Sequence, residues 1–172
     1  MREDIRVAID LVRARHPDAT LTLIGISMGG SAAMTLFGSD NPPEGVDRLI
    51  LSGPGLRGWG AMNWLYRGAL WLSAHTRPGW VDRPPRGVKI EPSDNVEMLR
   101  RMMEDPLRMT DNRIDQVYGV VALMEAAHEA APKLPESLPT LMTYGARDIV
   151  VPPGGVRRTL KILAPHVRTA YY

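Results

Sequence analysis

Residues 20–37 read TLTLIGISMGGSAAMTLF and carry the strongest structural signal in the chain. The β-branched and aliphatic residues at 20–25 predict a short buried strand. The small residues that follow Ser27 predict a helix that packs closely against a sheet. Strand, sharp turn and helix therefore follow one another directly, and Ser27 lies at the turn.

Short apolar strands and amphipathic helices recur on both sides of this stretch. Apolar residues at helical spacing predict a helix at 2–15, which ends before Pro17. Further elements are predicted as strands at 47–53, 138–145 and 167–172 and as a helix at 156–163. Alternating strands and helices predict an α/β fold with a mostly parallel sheet flanked by helices.

A segment rich in Trp, Met, Arg, Pro and Gly interrupts the alternation after residue 53. Helical periodicity appears in it at about 62–74, 93–104 and 112–130, and residues 84–87 predict a turn. We therefore predict a core in two parts with a helical cap inserted between them. The predicted ranges are 1–53 for the first part of the core, 54–135 for the cap and 136–172 for the second part.

Composition excludes several classes of function. The 172 residues contain 21 Lys and Arg against 19 Asp and Glu, so we expect no nucleic-acid partner. The chain has no cysteine, which excludes disulfides, thiolate metal sites and cysteine nucleophiles and suits the reducing cytoplasm. Neither a signal peptide nor an apolar run of about 18 residues is apparent, so we expect a cytoplasmic protein.

Gly25-Ile-Ser-Met-Gly29 fits the pattern G-x-S-x-G between a predicted strand and a predicted helix. Small flanking residues allow a strained turn that projects the Ser27 hydroxyl clear of the sheet, as a nucleophile requires. The amide of Met28, at the start of the helix, is a candidate oxyanion donor. This chemistry needs no metal and no cofactor. The alternative is a plain turn or a phosphate-binding loop. In the stretch around Ser27, neither the Walker pattern G-x-x-x-x-G-K-S/T nor the dinucleotide-binding pattern G-x-G-x-x-G is present.

A serine nucleophile needs a base, and the base works best when a carboxylate orients it. Asp148 follows the predicted strand at 138–145 and therefore lies at the same end of a parallel sheet as Ser27. It is the candidate acid. The alternative is an ordinary loop aspartate that hydrogen-bonds a turn.

None of the four histidines fits the position of the base. His16 and His166 precede predicted strands, which places them at the opposite edge of the sheet from Ser27, and we interpret both as surface residues. His75 and His128 lie in the insertion, where an exposed helix or loop position is the default expectation.

Three segments resemble the α/β-hydrolase superfamily, specifically its monoacylglycerol lipase and lysophospholipase-like branch, also described as serine aminopeptidase S33 or hydrolase 4. They are residues 25–30, 49–54 with the segment that follows, and 144–152. The resemblance implies that Ser27 is the nucleophile, Asp148 the triad acid and the Met28 amide half of the oxyanion hole.

The same resemblance implies parts that the sequence lacks. Ile26 stands where such proteins usually carry histidine. Family members also have a His-Gly oxyanion loop on earlier strands and a catalytic histidine in a later loop, so we expect a chain truncated at both ends. The base is then expected after Tyr172, and the strand at 20–25 is expected at an unpaired sheet edge.

These features predict a serine hydrolase of carboxylic esters, with a small acyl ester or a monoacyl lipid as its substrate. The apolar cap helix containing Trp64 and Trp71 suits an acyl chain or peripheral membrane contact, although burial against the core explains it equally well. Two alternatives remain open. The chain is a catalytically incomplete fragment or non-enzymatic interaction domain, or it is a peptidase or acyltransferase that uses the same triad.

Overall fold

A computed structural model of the protein describes residues 1–82, 93–109, 111–148, 150–151 and 153–172. The turn predicted at 84–87 lies outside the described residues. The chain divides into two compact units, Met1–Ala61 together with Val121–Tyr172, and Met62–Val120. The domain boundaries predicted after residues 53 and 135 stay a prediction.

Six helices and six strands are described. In chain order the helices are α1 (Arg2–Arg15), α2 (Met28–Phe37), α3 (Trp64–Thr76), α4 (Val96–Glu104), α5 (Ile114–Ala130) and α6 (Pro153–Leu160). The strands are β1 (Thr22–Ile26), β2 (Arg48–Ser52), β3 (Val81–Asp82), β4 (Asn112–Arg113), β5 (Thr140–Tyr144) and β6 (Arg168–Tyr171). Short 3₁₀ helices occupy Trp59–Ala61 and Ala131–Lys133.

The first unit contains a four-stranded sheet in the order β1-β2-β5-β6, and every pairing in it is parallel. In register, Ile26 of β1 faces Ser52 of β2, which in turn faces Thr143 of β5. The strands therefore end together at one edge of the sheet. This confirms the predicted parallel α/β fold. As predicted, β1 is at one side of the sheet, with an apolar groove of about 420 Å³ between it and α1.

The core of this unit is built on α2, which packs against β1 and β2. All of its residues from Gly30 to Phe37 are buried, because its small residues bring the helix backbone close to the strands. Among the largest fully buried side chains are Phe37, Met34, Leu51 and Met142. By contrast, α1 buries only Ile9, so it is a surface helix of the amphipathic kind that the sequence predicts.

The second unit contains α3, α4, the first residues of α5 and the antiparallel pair of β3 and β4. Asn63 and Asn95 cap α3 and α4 by accepting hydrogen bonds from Leu65 N and Met98 N. The three helices match those predicted in the insertion. The two-residue strands were not predicted, because segments this short carry no usable periodicity.

Helix α6 begins and ends three residues earlier than the predicted range of 156–163. Pro153 is its first residue, where the fixed φ of proline suits a helix and the missing N–H costs nothing. Among the described residues, no helix is both long and apolar enough to cross a membrane.

Candidate active site

Ser27 has an unusual backbone conformation at the junction of β1 and α2. Its φ is 50° and its ψ is −118°, and it is the one non-glycine residue with positive φ in the described part of the chain. Such a conformation costs on the order of 1–3 kcal/mol and persists where the surroundings enforce it. The residue is exposed, so the strained turn presents it to solvent.

Two glycines make this turn sterically feasible. A Cβ atom at Gly25 would lie 2.8 Å from both Gly29 O and Gly30 Cα, which are backbone atoms that cannot move aside. A Cβ atom at Gly30 would lie 2.9 Å from Cβ of Pro54. The strand before Ser27 and the helix after it therefore approach closely only because both positions lack a side chain.

The Ser27 side chain is not used as a helix cap. Serine at the first position before a helix commonly accepts a hydrogen bond from a backbone N–H of the first turn, but Ser27 makes no such bond. Met28 is the first residue of α2, so its N–H is among those that have no partner within the helix. A hydroxyl and an unpaired amide thus stand side by side at the positive end of the helix dipole.

Hydrogen bonds fix the Ser27 backbone on both sides. Its N–H donates to Ser52 O at 3.0 Å, which extends the pairing of β1 with β2. Its carbonyl oxygen accepts from Gly55 N at 3.0 Å and also from Gly30 N and Ser31 N. The end of β2 and the loop after it therefore hold the turn in place.

Asp148 lies in the loop after β5, and its carboxylate is half-buried. Its Oδ1 accepts hydrogen bonds from Val150 N at 2.8 Å and Val151 N at 2.9 Å. A Cβ atom at Gly53, just beyond β2, would lie 3.9 Å from its Oδ2. One oxygen thus shapes the loop, as the alternative interpretation expects, while the other points towards the strand ends.

The topology brings Ser27 and Asp148 to the same edge of the sheet. Ser27 directly follows β1 and Asp148 follows β5, with β2 between the two strands. Strand spacing of about 4.8 Å puts these two strand ends roughly 10 Å apart, a gap that an imidazole ring can bridge. In the described part of the chain, no hydrogen bond joins a histidine ring to either residue.

The expected surface positions of the histidines are only partly correct. His16 and His75 are exposed, and the ring of His75 stacks on Trp71 with centroids 4.5 Å apart. His166 precedes β6, at the opposite edge of the sheet from Ser27 as predicted, but it is half-buried and its Nε2 has no hydrogen-bond partner. Its neighbour Val167 belongs to the buried core cluster of the sheet unit.

The prediction that His128 is exposed is wrong. The residue is buried, and its Nδ1 lies 3.0 Å from Oγ1 of Thr159 on α6. Burial is the main reason why its pKa falls below the ordinary value, and the positive charge of Arg158 lowers it further. His128 is therefore neutral at neutral pH, and it joins α5 to α6.

Beside His128, an ion pair that the sequence did not indicate connects the same two helices. Arg158 Nη2 lies 2.5 Å from Glu125 Oε1, and Arg158 Nη1 donates to Glu125 Oε2 at 2.9 Å. Glu125 Oε2 also accepts a hydrogen bond of 3.0 Å from Gly60 N, in the 3₁₀ helix Trp59–Ala61. These bonds, chiefly that with Arg158, hold the pKa of Glu125 below its ordinary value. No local pattern links residues 33 positions apart.

A parallel sheet with a strained serine between strand and helix and a carboxylate at the same edge is typical of the α/β-hydrolase fold. The chain belongs to the family described as serine aminopeptidase S33 (Hydrolase_4), whose model matches residues 1–172. A comparison with curated proteins finds no match.

Solved structures with the same fold include several ester hydrolases. A monoacylglycerol lipase from Paleococcus ferrophilus superposes with a TM-score of 0.72 at 22% identity, covering 99% of this chain and 65% of that one. A carboxyl esterase from Bacillus coagulans gives 0.64 at 22%, covering 100% and 62%. A monoglyceride lipase from Saccharomyces cerevisiae gives 0.70 at 15%, covering 99% and 58%. The chain thus spans less than two thirds of each, and at these identities the likeness shows the fold.

Proposed function

We propose that the protein is a serine hydrolase of carboxylic esters in which Ser27 is the nucleophile. Ser27 Oγ bonds to the ester carbonyl carbon while its proton passes to a histidine base and then to the departing alcohol. Water then attacks the acyl-enzyme, releases the carboxylic acid and restores the Ser27 hydroxyl. The strained, exposed backbone of Ser27 is the observation that supports this proposal most strongly.

Asp148 and the Met28 amide have separate roles in the proposed mechanism. Asp148 would orient the base, and the Met28 N–H would donate to the oxyanion that forms on the carbonyl oxygen. Family membership supports the triad, and the shared sheet edge of Ser27 and Asp148 is consistent with it.

We propose a monoacyl lipid as the substrate. Two of the three structures described above carry the names monoacylglycerol lipase and monoglyceride lipase, which supports this class. Helix α3 offers apolar surface of the required kind, since Trp64 is 74% exposed and Tyr66 is 71% exposed. The exposed Arg67 and Arg77 on or next to this helix add positive charge, which favours peripheral contact with an anionic membrane.

Hydrolysis by matched serine variants tests the proposal. The full-length protein is assayed on a short activated ester and on a monoacylglycerol, beside Ser27→Ala and Ser39→Ala. Ser39 lies just beyond the other end of α2, where its hydroxyl bonds Leu36 O, so it controls for loss of a serine hydroxyl. We expect Ser27→Ala to lose turnover by about 10³-fold or more and Ser39→Ala to keep it. A Ser27→Ala variant that hydrolyses the ester at the wild-type rate would refute the assignment of Ser27 as the nucleophile.

A second candidate function is peptide hydrolysis, which the family description as a serine aminopeptidase favours. The same triad can hydrolyse amides and esters, so the fold alone does not distinguish a peptidase from an esterase. Amino-acid arylamides included in the same assay decide between them. Cleavage of an arylamide faster than of the monoacylglycerol would make peptides the substrate class. A wild-type protein inert on all these substrates would instead support the non-enzymatic interpretation.

A further inference from the structure

A buried hydroxyl on α2 links the nucleophile turn to the loop that follows β2. Ser31 has no exposed surface, and its Oγ donates a hydrogen bond of 2.6 Å to the carbonyl oxygen of Gly55. The two residues are 24 positions apart, so this bond is a tertiary contact rather than part of a turn. A short bond between fully buried groups is well placed to fix the loop, because water does not compete for it.

The same glycine reaches the nucleophile through its other backbone group. Gly55 N donates to Ser27 O at 3.0 Å. A Cβ atom at Gly55 would lie 2.8 Å from Met124 Cε and 3.1 Å from Ser31 Oγ, so the residue is closely enclosed. The Ser31 hydroxyl therefore helps to fix Gly55, and Gly55 in turn helps to fix the Ser27 carbonyl oxygen.

The Ser27 carbonyl is in turn rigidly tied to the proposed oxyanion donor. The Ser27 C=O and the Met28 N–H belong to one planar peptide group and point in opposite directions. Any rotation of that peptide that relaxed the strained Ser27 backbone would break the Gly55 bond and turn the Met28 N–H away. Hydrogen bonds that fix the Ser27 carbonyl oxygen therefore also fix the direction of the Met28 N–H.

We infer that Ser31 is a positioning residue for the oxyanion hole, acting through Gly55 on the Ser27–Met28 peptide. This inference rests on the proposed function, in which the Met28 N–H stabilises the developing oxyanion. Its consequence is specific, because an oxyanion donor acts on the transition state more than on the bound substrate. Loss of the Ser31 hydroxyl therefore lowers kcat and leaves KM nearly unchanged.

The same helix supplies a matched control. Thr35 lies one turn beyond Ser31, is also buried, and donates its hydroxyl hydrogen bond to Ala32 O within α2. Replacing Thr35 with valine removes a buried hydroxyl at nearly constant shape without touching Gly55. A general loss of helix packing would affect both variants, whereas misalignment of the oxyanion donor affects one.

Steady-state kinetics on a short activated ester test the inference in the full-length protein. We expect Ser31→Ala to lower kcat roughly 10-fold, less than the roughly 100- to 1,000-fold typical of deleting an oxyanion donor, with KM within about twofold of wild type. Thr35→Val is expected to keep both constants within about twofold. Thermal melts identify variants that fail to fold. Should Ser31→Ala fail, Ser31→Cys takes its place, because it nearly keeps the shape but donates only weakly.

The outcomes separate this inference from the proposed function. A loss in kcat that is the same for Ser31→Ala and Thr35→Val, or a loss that appears in KM, overturns the positioning role. Full activity in Ser31→Ala, or in Ser31→Cys where that variant replaces it, beside an inactive Ser27→Ala overturns the positioning role alone. Activity that persists in Ser27→Ala overturns both.

Discussion

The two units of the chain differ in how far their apolar side chains are buried. In the unit that holds the parallel sheet, apolar side chains gather into one buried cluster that includes Phe37, Leu51 and Met142. In the unit Met62–Val120, only Leu70 and Ile114 are buried among the described hydrophobic residues, and large side chains such as Trp64 are exposed.

This difference indicates that the sheet unit supplies most of the stability of the chain, and it supports the proposal that the apolar surface of the other unit contacts the substrate. A close-packed sheet unit can enforce the strained backbone of Ser27, because many contacts must break before the turn relaxes. An apolar surface rich in Trp, Leu and Met contributes little to stability while it is exposed, and it suits contact with a lipid or a partner. We therefore expect substitutions in the sheet unit to change stability, and substitutions on the apolar surface of the other unit to change binding.

The largest effect is expected at the acid loop of the sheet unit. Asp148→Asn keeps an oxygen that accepts the bonds from Val150 N and Val151 N, so the loop survives while the charge is lost. We expect kcat to fall by about 10⁴-fold, about 5 kcal/mol, with unchanged thermal stability. Asp47→Asn is the control, because Asp47 also accepts a backbone N–H bond but precedes β2 at the opposite sheet edge. A variant Asp148→Asn with near-normal kcat would remove Asp148 from the triad.

One substitution made in both units measures the contrast directly. Leu51 has no exposed surface, whereas Leu65 is 59% exposed. We expect Leu51→Ala to lower the free energy of unfolding by about 2–5 kcal/mol, because a cavity remains in the core. Leu65→Ala should change it by less than about 0.5 kcal/mol. Urea unfolding decides, and equal losses would show that the comparison between units is mistaken.

The ion pair of the sheet unit should give an intermediate and pH-dependent effect. Arg158 holds the pKa of Glu125 below its ordinary value of 4.5, so the pair stabilises the fold above that pH. Its contribution is lost as the pH falls through the lowered pKa. We expect Glu125→Gln to cost about 2 kcal/mol of unfolding free energy at pH 7.

Unfolding measured across pH tests the sign of that effect. The difference between wild type and Glu125→Gln should shrink as the pH falls from 4.5 through the lowered pKa of Glu125 in the folded protein, because below that pKa the side chain is neutral in both the folded and the unfolded state. Glu97→Gln is a useful comparison, because Glu97 pairs with Arg100 on the surface of α4 and its loss should change stability little. A cost for Glu125→Gln that stays constant down to low pH would contradict the role of the charge.

The smallest effect is a gain in stability. Glycine adopts the backbone angles of Ser27 without strain, so Ser27→Gly should raise the free energy of unfolding by about 1 kcal/mol while activity is lost. Ser27→Ala keeps a Cβ atom and with it the strain, so it should show no such gain. The two variants are compared by urea unfolding. A destabilised Ser27→Gly would mean that the turn is not strained.

The strands and helices of the sheet unit could be predicted because their signals are local. The strand, turn and helix around Ser27 follow from adjacent residues, and the position of Asp148 follows from the rule that parallel strands end at one edge. The burial of His128 was not predictable in this way. Its partner Thr159 is 31 residues away, so only the tertiary fold brings the two side chains together. The hydrogen bond from Ser31 to Gly55 was not predictable either, because the two residues are 24 positions apart. The small size of Ser31 indicated only close packing of the helix.

The central claim is that the Ser27 hydroxyl forms a covalent bond during the reaction. Its most direct test treats the full-length protein with a fluorophosphonate and locates the adduct by peptide mass spectrometry. We predict one phosphonylated peptide, with the added mass on Ser27, and no labelling of Ser27→Ala. An adduct on another residue, or equal labelling of Ser27→Ala, would contradict the claim.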